Sequence, residues 1–103
     1  MATKVFVFYN LKEGVDLEEY KKWSREVDQP ICNSMEACHS FEVFLIQGEA
    51  TGKPFQMVVE NIDVDSWEAW QETMKLAAFS KINEEWPRFG DAASAIAVYC
   101  EKI

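Results

Sequence analysis

Long apolar runs are missing from this sequence: nowhere do about 18 consecutive apolar residues occur, which argues against a bilayer-crossing helix. Histidine is nearly absent too. His39 stands alone, so a histidine-based general base, metal or haem hypothesis has no second residue to invoke. Basic residues are scarce, with 10 Lys and Arg against 18 Asp and Glu and a net charge of -8. That balance argues against wrapping nucleic acid or adhering to anionic membranes, because both partners reward dense positive charge. The three cysteines, Cys32, Cys38 and Cys100, are odd in number, which does not suit a disulfide framework and does suit reduced thiols. No phosphate-binding glycine loop, nucleophile elbow, paired metal-ligand set or calcium loop is present. The N-terminus runs into a strand without a cleavable signal pattern. A cytoplasmic protein, with no nucleic-acid or membrane partner, is the expectation.

What is present is apolar and aromatic. With 49% hydrophobic residues and 14% aromatics in 103 positions, the chain has the material for a modest core, and residues 1–103 read as a single domain. Lys4 to Tyr9 forms a strand whose faces are both apolar: Val5, Val7 and Tyr9 point one way, Phe6 and Phe8 the other. A helix begins at Val15-Asp16, with Asp16 as cap and Glu19 at the capping-box position. Leu17, Tyr20, Trp23 or Ser24, and Val27 form its stripe, and Pro30 is expected to end or kink it. His39 to Ile46 reads as a second strand, with His39 on the face of Phe41. Gly48 to Pro54 reads as a loop and Phe55 to Val64 as a third strand. Val64-Asp65-Ser66-Trp67-Glu68 repeats the helix start signal. Trp67, Trp70, Met74 and Ala77 or Ala78 mark the stripe of the second long helix. Ser80 then caps a shorter one carrying Ile82, Trp86 and Phe89, and Ala95 to Tyr99 is a fourth strand.

Two rounds of strand, helix, strand imply an α+β fold: a ferredoxin-like four-stranded antiparallel sheet with helices on one face. The other face is left bare. A second subunit packed there would cover the doubly apolar first strand and make a homodimer, a dimeric α/β barrel.

Among residues able to carry chemistry, Glu60 interrupts an apolar strand. It is hydrated, salt-bridged, or used as a base or an acceptor of N–H donors, and burial would raise its pKa. Asp28 is a helix-end residue or a functional carboxylate. His39 is a backbone-bonded histidine at a strand entrance or a ligand contact. Cys38 and His39 point to opposite faces of their strand and do not converge on one ion, so neither metal nor any other cofactor is expected. Four tryptophans, Trp23, Trp67, Trp70 and Trp86, lie on helical stretches, as core or as the wall for a flat ligand. The expected site lies between helices and sheet, with Trp23 and Trp67 on the wall and Glu60 as polar anchor. Ser40 or His39 would join from the neighbouring strand, one of them only because they face opposite ways.

The succession Val7 to Asp16 (Val-Phe-Tyr-Asn-Leu-Lys-Glu-Gly-Val-Asp... read with its first residue at Val7), then Tyr20, Trp23, Asp28, Pro30, the Ser40-Phe41-Glu42-Val43 strand and Glu60, resembles the RedY-like or HapK-like family within the dimeric α/β-barrel superfamily. The resemblance implies a homodimer serving the bipyrrole branch of prodigiosin-type pigment biosynthesis, as an accessory protein for a heteroaromatic intermediate or its enzyme. Three functions compete: such a binding or accessory protein; a cofactor-independent, monooxygenase-like enzyme acting on an aromatic intermediate; and a purely structural dimer. Turnover in excess of protein separates the second from the first.

Overall fold

The computed structural model describes residues 2–52 and 56–103. The end of the expected loop, Lys53-Pro54, and the expected start of the third strand, Phe55, lie outside the described residues. Four strands, β1 (Thr3–Tyr9), β2 (Cys38–Leu45), β3 (Val58–Val64) and β4 (Ile96–Cys100), form one antiparallel sheet in the order β2-β3-β1-β4. Helices α1 (Leu17–Trp23), α2 (Gln29–Ser34), α3 (Trp67–Thr73) and α4 (Ser80–Glu85) cover one face. This is the ferredoxin-like arrangement expected from two strand-helix-strand rounds. Among the described residues, no helix is long and apolar enough to cross a membrane.

Strand parity sorts the sheet into two unlike faces. Val5 and Tyr9 are fully buried beneath the helices, and Val7 shares their side. Register places Val7 opposite Glu60, and Glu60 opposite Val43, so the carboxylate of β3 also faces the helices. Phe6 pairs with Asn61 and Val98, and Phe8 with Val59 and Ile96, on the open side. Phe44, Ile96 and Val98 remain well exposed there, at 48%, 48% and 39%.

Several local expectations are corrected. Pro30 does not end its helix: α1 runs into a π turn, Ser24–Asp28, and then directly into α2. In a regular α-helix the proline ring would press on the carbonyl four residues back, and a π turn immediately before it relieves that crowding. The Gln29 N–H reaches back to the Ser24 carbonyl, five residues away. The wider turn also carries the inward position on to Asp28, which is buried, whereas Val27 is only partly so.

The second helix start is not a repeat of the first. Asp16 Oδ1 accepts from the Glu18 and Glu19 amides at 3.0 and 3.3 Å, but at α3 the cap is Ser66, whose Oγ accepts from the Ala69 amide at 3.0 Å. Asp65 bonds His39 instead. α3 stops at Thr73, short of Ala77, and Ser80 opens α4 without capping it. β4 begins one residue later than expected, at Ile96, and β2 one residue earlier, at Cys38. A register irregularity between Cys38 and Ser40 turns Cys38 inward and leaves His39 exposed, so His39 does not share the buried face of Phe41.

Candidate functional site

A cavity of about 240 Å³ lies between the sheet and the helices. Its floor is Val5, Val7, Tyr9 and Glu60, and the small side chain of Ala97 leaves it room at β4. Trp67, Trp70 and Met74 of the α3 stretch and Ile82 and Trp86 beyond them form the roof. Asp28 and Cys32, brought in by the π turn and α2, close one end. At the β4 edge, Trp67 stacks on Tyr99 with centroids 4.9 Å apart and planes 13° from parallel, which fixes the ring beside the cavity.

The polar groups lie at one side of the cavity. The Tyr9 and Tyr20 hydroxyls lie 2.5 Å apart. The Tyr9 hydroxyl also lies on the Glu60 side, and the Ser24 hydroxyl lies near Tyr20 and Asp28 while it accepts from Gln29 Nε2 at 3.2 Å. The Cys32 thiol approaches Asp28 Oδ1 at 3.8 Å, while Asp28 Oδ2 is buried without a hydrogen-bond partner.

Removal from water dominates the electrostatics of this cluster. Burial pushes the Asp28 carboxyl up to about 7, against partial relief from its Cys32 and Ser24 hydrogen bonds. Glu60 is raised well above the ordinary carboxylate range, first by burial and then by the charge of Asp28, with the Tyr9 hydrogen bond opposing. Burial likewise raises Tyr9, Tyr20 and Cys32, and the neighbouring acids add to each. Among the described lining residues there is no Lys, Arg or His to compensate. Burial thus works against the charged form of both carboxyls.

Of the six residues singled out in the sequence, Asp28, Glu60 and Trp67 meet at this cavity. The other three lie elsewhere. Trp23 is buried against Phe89 and donates from Nε1 to Glu85 Oε1 at 2.8 Å. His39 Nε2 and Asp65 Oδ1 are 2.6 Å apart near the end of the open sheet face. Ser40 pairs with Asp63 and points to that same open side. Tyr9, Tyr20 and Cys32 were not singled out, although a tyrosine on a buried strand face signals a hydroxyl that needs an internal partner. Among the described residues, no cluster of three or more His, Cys, Asp or Glu is arranged to hold a metal ion.

The model of the family described as REDY-like protein HapK matches residues 3–103. The chain belongs to the HapK family. The crystal structure of HapK from Hahella chejuensis is similar in fold, with a TM-score of 0.78 and 17% identity over 100% of this chain and 93% of that one. An ethyl tert-butyl ether D (EthD) family protein from Bacillus halodurans matches with a TM-score of 0.76 and 16% identity, covering 100% of both chains. A dimeric ferredoxin-like protein of unknown function from Thermobifida fusca gives a TM-score of 0.72 at 11% identity, over 99% of this chain and 92% of that one. No curated protein matches the sequence. At these identities the structural likenesses establish the fold that this HapK-family chain shares.

Gly90 controls how far one wall stands from the floor. A methyl group there would collide with the Trp86 ring, which meets Tyr9 edge-on at a centroid distance of 5.0 Å. Gly90→Ala should therefore drive Trp86 toward the cavity, destabilising the fold by roughly 1–3 kcal/mol. Thermal melts, together with reduced uptake of an environment-sensitive dye by the cavity, would check it; unchanged values in both would show that the ring moves aside freely.

Proposed function

We propose that this chain is a small binding or accessory protein that holds a flat heteroaromatic biosynthetic intermediate, in the bipyrrole branch of prodigiosin-type pigment formation, and hands it to a partner enzyme. The observation that carries this reading is the aromatic cavity ending in two buried carboxyls with no base beside them: ring walls suit a flat ligand, and sparse carboxyl oxygens suit its N–H groups. At about 240 Å³ the space is smaller than the roughly 300–1,000 Å³ of drug-sized sites, which favours two linked rings over three. Membership of the HapK family supports the biosynthetic setting. The free Cys32, Cys38 and Cys100 support a reducing, cytoplasmic location. The working unit is a homodimer with the open sheet faces together, supported by the apolar side chains exposed there and by the description of the Thermobifida fusca neighbour as dimeric.

Titrating a 2,2′-bipyrrole and following tryptophan fluorescence tests this reading. Glu60→Gln keeps the size and removes the ionisable group, and should weaken binding of this neutral ligand roughly 2- to 10-fold, the worth of one neutral hydrogen bond. Equal affinities would rule out the anchor role. A second reading, a cofactor-independent enzyme, is favoured by one observation: a carboxyl held near 7 is poised to take and return a proton at neutral pH. Product formed in excess of protein would establish it.

A further inference from the structure

The described lining of the cavity holds two carboxyls and no basic side chain. Asp28 and Glu60 bring two carboxyls, and Asp28 Oδ2, in a residue only 2% exposed, has no partner. The titratable groups packed around them are acids as well: Tyr9 from β1, Tyr20 from α1 and Cys32 from α2. α3 and α4 contribute no charged side chain to the lining, but Trp67 and Trp70, with Trp86 beyond α4, supply ring surface. Ring faces attract cations, and a carboxylate shielded from water pairs with an N–H-bearing cation more strongly than with a neutral donor. The net charge of -8 further enriches cations around the molecule.

We propose that the cavity takes its ligand as a protonated, delocalised heteroaromatic cation whose N–H edge meets Asp28 and Glu60, and that a proton held by this carboxyl pair leaves to solvent as the ligand enters. The proposal rests on the reading of the cavity as a heteroaromatic site. Protons balance simply: the ligand keeps its own, one carboxyl O–H breaks, and the released proton goes to buffer. The raised Asp28 and Glu60 carboxyls are what supply that proton in the empty protein. A neutral ligand leaves the pair protonated, and an anionic one meets two carboxyls with no basic side chain among the described lining residues.

Calorimetric titration of the wild-type protein near pH 6, about one unit below the raised Asp28 carboxyl, in two buffers of different ionisation enthalpy, separates these cases. Three planar probes of similar size serve: 2-aminobenzimidazole as cation, indole as neutral N–H donor and indole-2-carboxylate as anion. The cation should bind roughly 10- to 100-fold more tightly than indole, with a buffer-dependent enthalpy reporting release of about one proton. The carboxylate should bind weakest. Asp28→Asn and Glu60→Gln should each narrow the gap between cation and indole, while the buffer dependence is read on the wild type and needs no variant to fold. Indole binding as tightly as the cation, or an enthalpy independent of buffer, would overturn the cation proposal and leave the heteroaromatic site standing. Failure of all three probes to bind or to quench tryptophan would overturn both.

Discussion

Near pH 8 the Asp28→Asn variant is expected to melt roughly 10 °C above the wild type, a difference that should all but vanish near pH 4. The Asp28 carboxyl moves from an ordinary value of 3.8 to about 7 in the fold, because burial penalises its charged form. The folded state therefore binds this proton more tightly than the unfolded chain does. Its contribution to stability is present below the unfolded value and is lost as pH rises from about 4 to about 7, the reverse of a salt-bridged aspartate. Asparagine has no proton to lose and escapes that loss, worth on the order of 2–4 kcal/mol at alkaline pH. Melts at fixed protomer concentration across this range would check it, since self-association also moves the midpoint. A difference that stays constant with pH would mean that Asp28 is ionised in the fold as it is in water. Stability retained at a buried acid only when it is protonated is the signature of a group kept for a ligand or a proton rather than for the fold.

Sequence reasoning reached the fold because parity and helical spacing are strong signals here. Val5, Val7 and Tyr9 against Phe6 and Phe8 marked both faces of the sheet as apolar, and the cap at Asp16 is found where it was read. It was blunter about the site, for local physical reasons. Pro30 announces a disturbance four residues upstream, but only coordinates say that a π turn absorbs it and swings Asp28 inward. His39 was placed by regular alternation, which a register irregularity cancels. Asp65 and Ser66 are both good cap residues, and which one caps depends on whether His39 is within reach of Asp65. Tyr20 was legible as part of a stripe, yet its hydroxyl matters only because Tyr9 comes to 2.5 Å from across eleven residues of chain. Helix α2 is moored by Asn33, whose side chain both donates to the Phe41 carbonyl and accepts from its amide; nothing in the one-dimensional pattern marks that asparagine.

On the open face, Val98→Asp should convert the proposed dimer to a folded monomer. Val98 sits opposite Phe6 in the register, on the same open face as exposed Ile96 two residues away, so a carboxylate there would be carried into the contact between two sheets. An isologous interface presents each substitution twice, and each desolvated charge without a partner costs at least about 2 kcal/mol. The dimer dissociation constant should rise roughly 1,000-fold or more, enough to move a micromolar sample to monomer. Sedimentation decides it: the wild type should run near twice 11.9 kDa and the variant at the single-chain mass. A monomeric wild type would remove the barrel, and a variant that stays dimeric would put the contact on another surface. The same variant also separates assembly from ligand handling. The cavity is lined by the sheet and helices of one chain, and Val98 points away from it, so the monomer should still bind heteroaromatic probes. If binding is lost with the dimer while the fold persists, the partner's contribution to the site lies in holding β1 and β4, and with them Tyr9 and Ala97, in place beneath the tryptophans.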